Sequence, residues 1–208
     1  MTEDEIEYEY LKDSQHWIDS GSGKIGKIYV EVLGCDGLPN LDSGGFLGNK
    51  TDAFVSIVYE DSVVQTDIID DCLSPRWLPW TKRAFVFHMS HSSSQVLVGV
   101  FDNDTGMDDH DLIGKVSIDL TNLRKDTIYT LKYDIFKSSQ MSSRKAKGSI
   151  TLRMRVEVED ERKLLLACLE PPPDVYVNVK TQKEFRVARW TCSGKYDMEQ
   201  YSMKVMNS

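Results

Sequence analysis

The chain has 208 residues, of which 40% are hydrophobic and 28% charged, and its formal net charge is −8. This length allows one sizeable core with a smaller appendage, and the composition is ordinary for a globular protein. The acidic balance excludes general nucleic-acid binding, which needs a basic face, and disfavours docking on an anionic membrane unless a bound cation supplies positive charge.

Targeting signals are not evident in the sequence. No run approaches the roughly 18 apolar residues of a membrane-spanning helix, and the acidic N-terminus lacks the basic and apolar regions of a signal peptide. Four cysteines show no metal-ligand spacing, so we interpret them as reduced thiols that mostly serve packing. They are Cys35, Cys72, Cys168 and Cys192. We therefore expect a cytoplasmic protein.

Short alternating runs dominate the chain after an acidic, Gly/Ser-rich segment of residues 1–23 that we expect to be flexible. The first run places Ile28, Val30 and Val32 on one face of a strand that ends at Gly34. Seven further runs follow, at residues 54–59, 63–69, 83–89, 95–101, 113–120, 127–133 and 149–158. Eight short strands between Gly, Pro, Asp and Ser turns, without a long amphipathic helix, predict an all-β, antiparallel Greek-key β-sandwich over residues 24–160.

The residue pattern changes in a C-terminal extension over residues 161–208. A short helix is predicted from Glu161 and is stopped by the prolines at 171–173. Residues 175–179 and 184–190 then resemble a small hairpin, followed by a polar tail. The pattern assigns no function to this extension, which leaves a protein partner as one expectation. A Ser/Lys/Arg-rich loop at residues 137–147 is predicted to be basic and mobile.

Five aspartates gather in two clusters, each just after a strand-like run. The clusters contain Asp42 and Asp52, and then Asp102, Asp104 and Asp111. Carboxylates so close together repel one another unless a multivalent cation holds them. Hard oxygen ligands of this kind suit Ca²⁺, which takes six to eight oxygens in flexible geometry. The sequence therefore predicts a calcium site built from loops.

The order of these motifs resembles the C2 domain family, the calcium-dependent phospholipid-binding modules. The matching stretches are residues 28–32, 37–42, 51–55, 74–77, 100–104 and 111–114, and the resemblance covers about residues 24–158. It implies an eight-stranded sandwich with calcium loops at one end. It also implies that Asp42 and Asp52 are ligands from the first loop, and that Asp102, Asp104 and Asp111 are ligands from the third.

Two departures from the family pattern affect this ligand set. Asp42 and Asp52 lie ten residues apart, so the first loop carries an insertion. Asp111 falls one residue later than the pattern, which leaves Asp108 or Asp109 as an additional or alternative ligand. Because the closing strand of the sandwich follows the Ser/Lys/Arg-rich loop and no strand is predicted before residue 24, we expect the permuted, type II strand order.

Two other roles could explain the aspartates: ligands of an EF-hand loop, or residues that begin turns. An EF-hand loop needs glycine at its sixth position and an acidic residue at its twelfth, where this chain has Met107 and Ile113, so the EF-hand fails. Aspartates also commonly begin turns, and we assign that role to Asp36, Asp70 and Asp71.

Membrane contact is predicted at the loop tips. Phe46 and Leu47 lie between glycines in the first-loop insertion, and Met107 lies in the third loop. Burying each large apolar side chain would contribute roughly 1.5–3 kcal/mol, enough for reversible contact. The expected partner is an anionic, phosphatidylserine-like phospholipid membrane, reached from the cytoplasm as a peripheral protein on calcium binding. The alternative for Phe46 is packing on its own loop or on a neighbouring domain.

Catalysis is not expected. The four histidines form no catalytic set, and no nucleophile elbow, phosphate-binding loop or zinc spacing is present. The expected function is calcium-dependent membrane targeting of this protein or a larger parent. The alternative is a calcium-independent protein–protein interaction module, and a secreted carbohydrate-binding sandwich is a third class.

Overall fold

Two β-sheets packed around one apolar core form the body of the protein. The computed structural model describes residues 1–41, 50–91, 94–104, 110–137, 145–169, 175–178, 185–190 and 196–201. In chain order the elements are α1 (Glu3–Glu9), β1 (Ile18–Ser20), β2 (Gly26–Asp36), β3 (Ala53–Tyr59), β4 (Ser62–Gln65), β5 (Ala84–Met89), β6 (Val96–Asp102), β7 (Asp111–Ile118), a 3-10 turn (Leu120–Asn122), β8 (Tyr129–Asp134), β9 (Ser149–Val158), α2 (Glu161–Leu169), β10 (Val175–Asn178), β11 (Phe185–Trp190) and β12 (Tyr196–Tyr201).

The strand order is that of a sandwich with non-sequential neighbours. One sheet has the order β1-β5-β2-β9-β8, and the other has the order β4-β3-β6-β7. Within these two sheets all pairs are antiparallel except β1 with β5. The prediction of an all-β sandwich is therefore confirmed, with β2 to β9 as its eight strands. The closing strand β9 pairs with β2 inside the sheet, as the predicted type II order requires.

Because apolar and polar residues alternate along the strands, one face of each sheet is apolar and buried. In β9 the side chains of Ile150, Leu152 and Met154 are buried, and Thr151 and Arg153 between them are on the opposite face. Side chains from both sheets meet in a single cluster that includes Trp77, Phe85 and Ile57, as expected when two inner faces pack together. Cys35 lies in this core, where burial raises the pKa of its thiol and keeps it protonated.

One predicted strand is shorter than expected. The run 63–69 predicts a single strand, but β4 ends at Gln65. Thr66 turns inward, and its hydroxyl accepts a hydrogen bond from the backbone N–H of Val55 at 3.0 Å. Ile69 then returns to pair with Ala53. A polar side chain that satisfies a buried backbone donor therefore interrupts the ladder, which apolar periodicity does not reveal.

The N-terminal segment differs from the flexible lead-in that its composition predicts. Residues 3–9 form α1, which begins with a capping box between Thr2 and Glu5. Residues 18–20 form β1, beside the edge of β5. The expectation of no strand before residue 24 was therefore wrong, although β1 lies at an edge and leaves β9 between β2 and β8. Long-range contacts, described below, hold this segment on the sheet.

The C-terminal extension contains the predicted helix and hairpin. Helix α2 runs to Leu169, and its Leu164 packs against the core. Strands β10 and β11 pair antiparallel, as expected of a hairpin. The tail predicted to be polar also contains a strand, β12, which pairs with β11. The domain boundaries at residues 23 and 160 remain predictions. No helix among the described residues is long and apolar enough to cross a membrane.

Candidate metal centre

Three of the predicted ligand positions lie at neighbouring strand ends in the four-stranded sheet. Asp52 immediately precedes β3, Asp102 is the last residue of β6, and Asp111 is the first residue of β7. Asp102 is in register with Ala53 on one side and with Asp111 on the other. The sheet therefore brings Asp52, Asp102 and Asp111 to the same end of neighbouring strands, although Asp52 and Asp111 are 59 positions apart in the sequence.

Hydrogen bonds fix the first two of these residues relative to each other. The backbone N–H of Asp52 donates to Asp102 Oδ1 at 2.8 Å. The N–H of Asn103 donates back to the carbonyl oxygen of Asp52 at 2.9 Å. The Asp102 side chain is almost wholly buried, at 1% exposure. Its carboxylate is therefore held at the end of the strand pair.

Asp71 lies in a turn, as predicted, and also joins this arrangement. Its backbone N–H donates to Asp52 Oδ1 at 2.8 Å, and its own Oδ1 accepts a hydrogen bond from the N–H of Lys50 at 2.9 Å. Asp71 adopts a left-handed backbone with φ 52°, which aspartate tolerates better than most residues. It thus ties the second loop, between β4 and β5, to the first loop, between β2 and β3. Sequence spacing carries no signal for this contact.

Three aromatic rings pack together on β3, on β6 and just before β7, next in sequence to the aspartates. The rings of Phe54 and Phe101 stack with centroids 5.5 Å apart, and the ring of His110 meets Phe54 edge-on at 5.1 Å. His110 directly precedes Asp111. This contact fixes where the third loop rejoins the sheet. The histidine acts here as a packing group.

The remaining predicted site residues are only partly placed. Asp104 is half-buried, two positions after Asp102. The predicted ligand Asp42, the alternatives Asp108 and Asp109, and the predicted membrane-inserting residues Phe46, Leu47 and Met107 lie outside the described residues. The ligand and insertion assignments therefore stay predictions.

The donor set at this edge has the right chemistry for calcium. Carboxylate oxygens are the hard ligands that Ca²⁺ prefers. In the part of the chain that the structure describes, no group of three His, Cys, Asp or Glu side chains is gathered closely enough to hold a metal ion.

A cationic cluster stabilises the base of the first loop. Asp36, the last residue of β2, accepts hydrogen bonds from Arg76 Nη2 at 2.5 Å and from Lys132 Nζ at 2.7 Å. Burial alone would raise the pKa of the Asp36 carboxyl, but Lys132 and Arg76 outweigh that effect and hold the pKa below its ordinary value. Asp36 was predicted to be a turn residue, but it ends strand β2, where it pairs with Ser149 and makes these ionic contacts.

This lowered pKa predicts a pH-dependent contribution to stability. Because the folded-state pKa lies below the unfolded value of about 3.9, the contribution is present above about pH 4 and is lost as the pH falls through the folded-state pKa. We expect Asp36→Asn to lower the free energy of unfolding by about 1 kcal/mol at neutral pH. Urea denaturation of both proteins should show this difference shrinking at about pH 2. An equal difference at both pH values would contradict the assignment.

Comparison with known proteins agrees with this architecture. The model of the C2 domain family matches residues 26–135. Multiple C2 domain and transmembrane region protein 12 of Arabidopsis thaliana is 26% identical over 153 residues, which are 71% of this chain and 18% of that protein. FT-interacting protein 4 of Arabidopsis thaliana is 30% identical over 139 residues, which are 63% of this chain and 17% of that protein. The chain therefore spans less than a fifth of the length of these two curated relatives.

Solved structures show the same fold at low sequence identity. The first C2 domain of a plant Extended Synaptotagmin 1 superposes with a TM-score of 0.55 and 17% identity, over 67% of this chain and 99% of that one. The calcium-bound pair of C2 domains of Extended-Synaptotagmin 2 superposes with a TM-score of 0.52 and 19% identity, over 65% of this chain and 47% of that one.

Proposed function

The chain belongs to the C2 domain family, and from this premise we propose that it binds anionic phospholipid membranes in a calcium-dependent manner. The observation that supports the proposal is that Asp52, Asp102 and Asp111 lie at neighbouring strand ends of the four-stranded sheet. The candidate ligands are these three residues with Asp42 and Asp104, and with Asp108 and Asp109 as alternatives. The cofactor is Ca²⁺.

Charge explains why binding would depend on the ion. The protein is acidic overall, with a net charge of −8, and aspartates at the loop end repel phosphate and carboxylate groups of lipids. A Ca²⁺ ion held by these carboxylates would offset their charge and would supply coordination positions for lipid oxygens. Because lipid oxygens would then complete the coordination, calcium affinity and membrane affinity should reinforce each other. The role of the chain's own residues is to hold carboxylates at the strand ends and to present the loops together.

Vesicle sedimentation with purified protein tests this proposal. Vesicles of phosphatidylserine and phosphatidylcholine should pellet the protein when Ca²⁺ is present and release it when a chelator is added. Vesicles of phosphatidylcholine alone should retain much less, because they lack net negative charge. Pelleting that ignores calcium, or no pelleting under either condition, would refute calcium-dependent membrane binding.

Apolar loop residues provide the second part of the proposed membrane contact. We expect Phe46→Ala to leave calcium affinity unchanged in the absence of lipid, because phenylalanine offers no oxygen ligand. Vesicle affinity should fall by roughly tenfold, since truncation removes apolar surface worth roughly 1.5–3 kcal/mol when fully buried. Calorimetry measures the calcium affinity, and sedimentation measures the vesicle affinity. Unchanged vesicle affinity would place Phe46 against protein instead.

A calcium-independent protein-interaction role is the second candidate, and one surface feature favours it. Val63, Val58 and Leu97 are cross-strand neighbours on the outer face of the four-stranded sheet. Val63 is 63% exposed and Leu97 is 49% exposed. Adjacent exposed apolar side chains are typical of surfaces that bind other proteins. In the sedimentation assay this role predicts no calcium-dependent pelleting.

The cellular setting follows from the same proposal. We place the protein in the cytoplasm as a peripheral membrane protein that attaches when calcium rises. It would target itself, or a larger parent polypeptide, to membranes in trafficking, fusion or tethering. The extension at residues 161–208 is the candidate contact for a protein partner, and we assign the chain neither catalysis nor nucleic-acid binding.

A further inference from the structure

Three ionic side chains lie together on the outer face of the five-stranded sheet, and residues of the N-terminal segment cover them. Glu31 of β2 lies in register with Arg153 of β9, and Arg83 immediately precedes β5. Glu31 is 1% exposed and Arg83 is fully buried. Arg153 Nη1 donates to Glu31 Oε2 at 2.8 Å, and Arg83 Nη2 lies 3.8 Å from Glu31 Oε1. We call these three residues the ionic groove.

Residues 10–14 of the same chain occupy the ionic groove. Arg83 donates to the carbonyl oxygen of Tyr10 at 2.7 Å and to the Ser14 hydroxyl at 2.7 Å. The backbone N–H of Ser14 donates to Glu31 Oε1 at 2.9 Å. Arg153 also donates to Asp13 Oδ1 and to the carbonyl oxygen of Leu11. Buried charges need such partners, so this stretch completes the domain.

Helix α1, which precedes residues 10–14, lies at the end of the sandwich where the first loop begins. Arg76 Nε donates to Glu7 Oε1 of α1 at 2.8 Å, and its guanidinium lies over the Tyr10 ring at 5.1 Å. The same guanidinium bonds to Asp36, the last strand residue before the first loop. Arg76 thus clamps α1 beside the base of the first loop. Strand β2 runs from Gly26 to Asp36, towards that end, so residues 21–25 lie at the opposite end of the sheet from α1.

Helix α1 is strongly acidic. Five of its seven residues are Glu or Asp, and it contains no Lys or Arg. Glu3, Asp4 and Glu5 are exposed to solvent. Negative charge near an anionic bilayer opposes binding, and the repulsion acts within about one Debye length of roughly 8 Å at physiological salt.

We propose that residues 1–20 form an N-terminal strap that is held in the ionic groove, and that its acidic helix α1 acts as an electrostatic guard raising the calcium concentration needed for docking on anionic membranes. This inference rests on the proposed calcium-dependent membrane binding. The guard differs from the candidate metal centre because its charges are not ligands. It acts on the same surface from a fixed position beside the loops.

Charge neutralisation in the full chain tests the guard. The guard variant is Glu3→Gln, Asp4→Asn, Glu5→Gln, in which the Glu7–Arg76 clamp is kept and the glutamine that replaces Glu5 can still serve the capping box. The matched control is Asp61→Asn, Glu159→Gln, Glu161→Gln, which removes the same charge from exposed positions near the turn between β3 and β4 and after the end of β9. Each protein is titrated with Ca²⁺ in sedimentation with phosphatidylserine-containing vesicles.

The expected result is a half-maximal calcium concentration about threefold or more lower for the guard variant, and a change of less than about twofold for the control. Calorimetric calcium affinity without vesicles should be the same in all three proteins. Equal shifts in the two variants, or no shift in either, would overturn the guard while leaving calcium-dependent binding intact. A wild-type protein that never pellets with calcium would overturn the proposed function and the guard together.

Discussion

Replacing Asp102 by asparagine is expected to weaken calcium binding by at least about tenfold while the fold is retained. Asp102 is buried at the end of β6, and its Oδ1 accepts the Asp52 N–H at 2.8 Å. An asparagine oxygen can accept the same hydrogen bond, so the substitution removes mainly a negative charge and a strong oxygen donor. Calcium affinity depends on how many charged ligands a site provides, and a tenfold loss corresponds to about 1.4 kcal/mol.

Isothermal titration calorimetry measures this effect, with circular dichroism as the check on folding. Asp61→Asn is the matched control, because Asp61 is exposed in the turn between β3 and β4, at the other end of β3 from Asp52. It should bind calcium as the wild type does. Equal calcium affinity in the wild type and in Asp102→Asn would refute the site assignment. Loss of binding in both variants would point to total charge instead of a site.

Replacing Arg83 by methionine is expected to lower the free energy of unfolding by about 3 kcal/mol. Arg83 is fully buried, and it donates to the carbonyl oxygens of Tyr10 and Trp77. The substitution leaves these carbonyls without that donor and leaves buried Glu31 with less compensating charge. Removing one partner of a buried ionic group typically destabilises by roughly 3–5 kcal/mol, and the contact between Glu31 and Arg153 places our expectation at the lower end.

Urea denaturation followed by circular dichroism measures this loss. Arg124→Met is the matched control, because Arg124 is exposed and its replacement should change stability by less than about 0.5 kcal/mol. The double variant Glu31→Gln, Arg83→Met should lose less than the sum of the single variants, since the two residues belong to one network. A single Arg83→Met variant as stable as the wild type would show that the ionic groove does not hold the N-terminal strap.

Local periodicity was sufficient to predict the sandwich. The alternation of Ile150, Leu152 and Met154 with arginines predicts a strand with one wet face, and β9 has that form. Such patterns are readable because the direction of a strand side chain depends on its own position in the pleat. The limits of β4 were not readable, because the Thr66 hydroxyl ends the ladder by bonding to another strand.

The candidate site was partly predictable for a related reason. Loops that follow strand-like runs, rich in aspartate, indicated Asp52, Asp102 and Asp111 as residues of one end of the sandwich. The contact between Asp71 and Asp52 spans 19 positions of sequence and joins two different loops. No residue pattern marks it. Only strand pairing brings the second loop against the first.

The sequence by itself determined the eight-stranded sandwich and the acidic character of its loops, since both depend on residue type and local spacing. The tertiary structure alone decided that residues 1–20 form a strap that is held against the five-stranded sheet. Ser14 lies 69 positions from Arg83, and Asp13 lies 140 positions from Arg153. An acidic segment that precedes a Gly/Ser-rich stretch resembles disordered chain until the fold supplies buried guanidinium groups that require its carbonyl oxygens as partners.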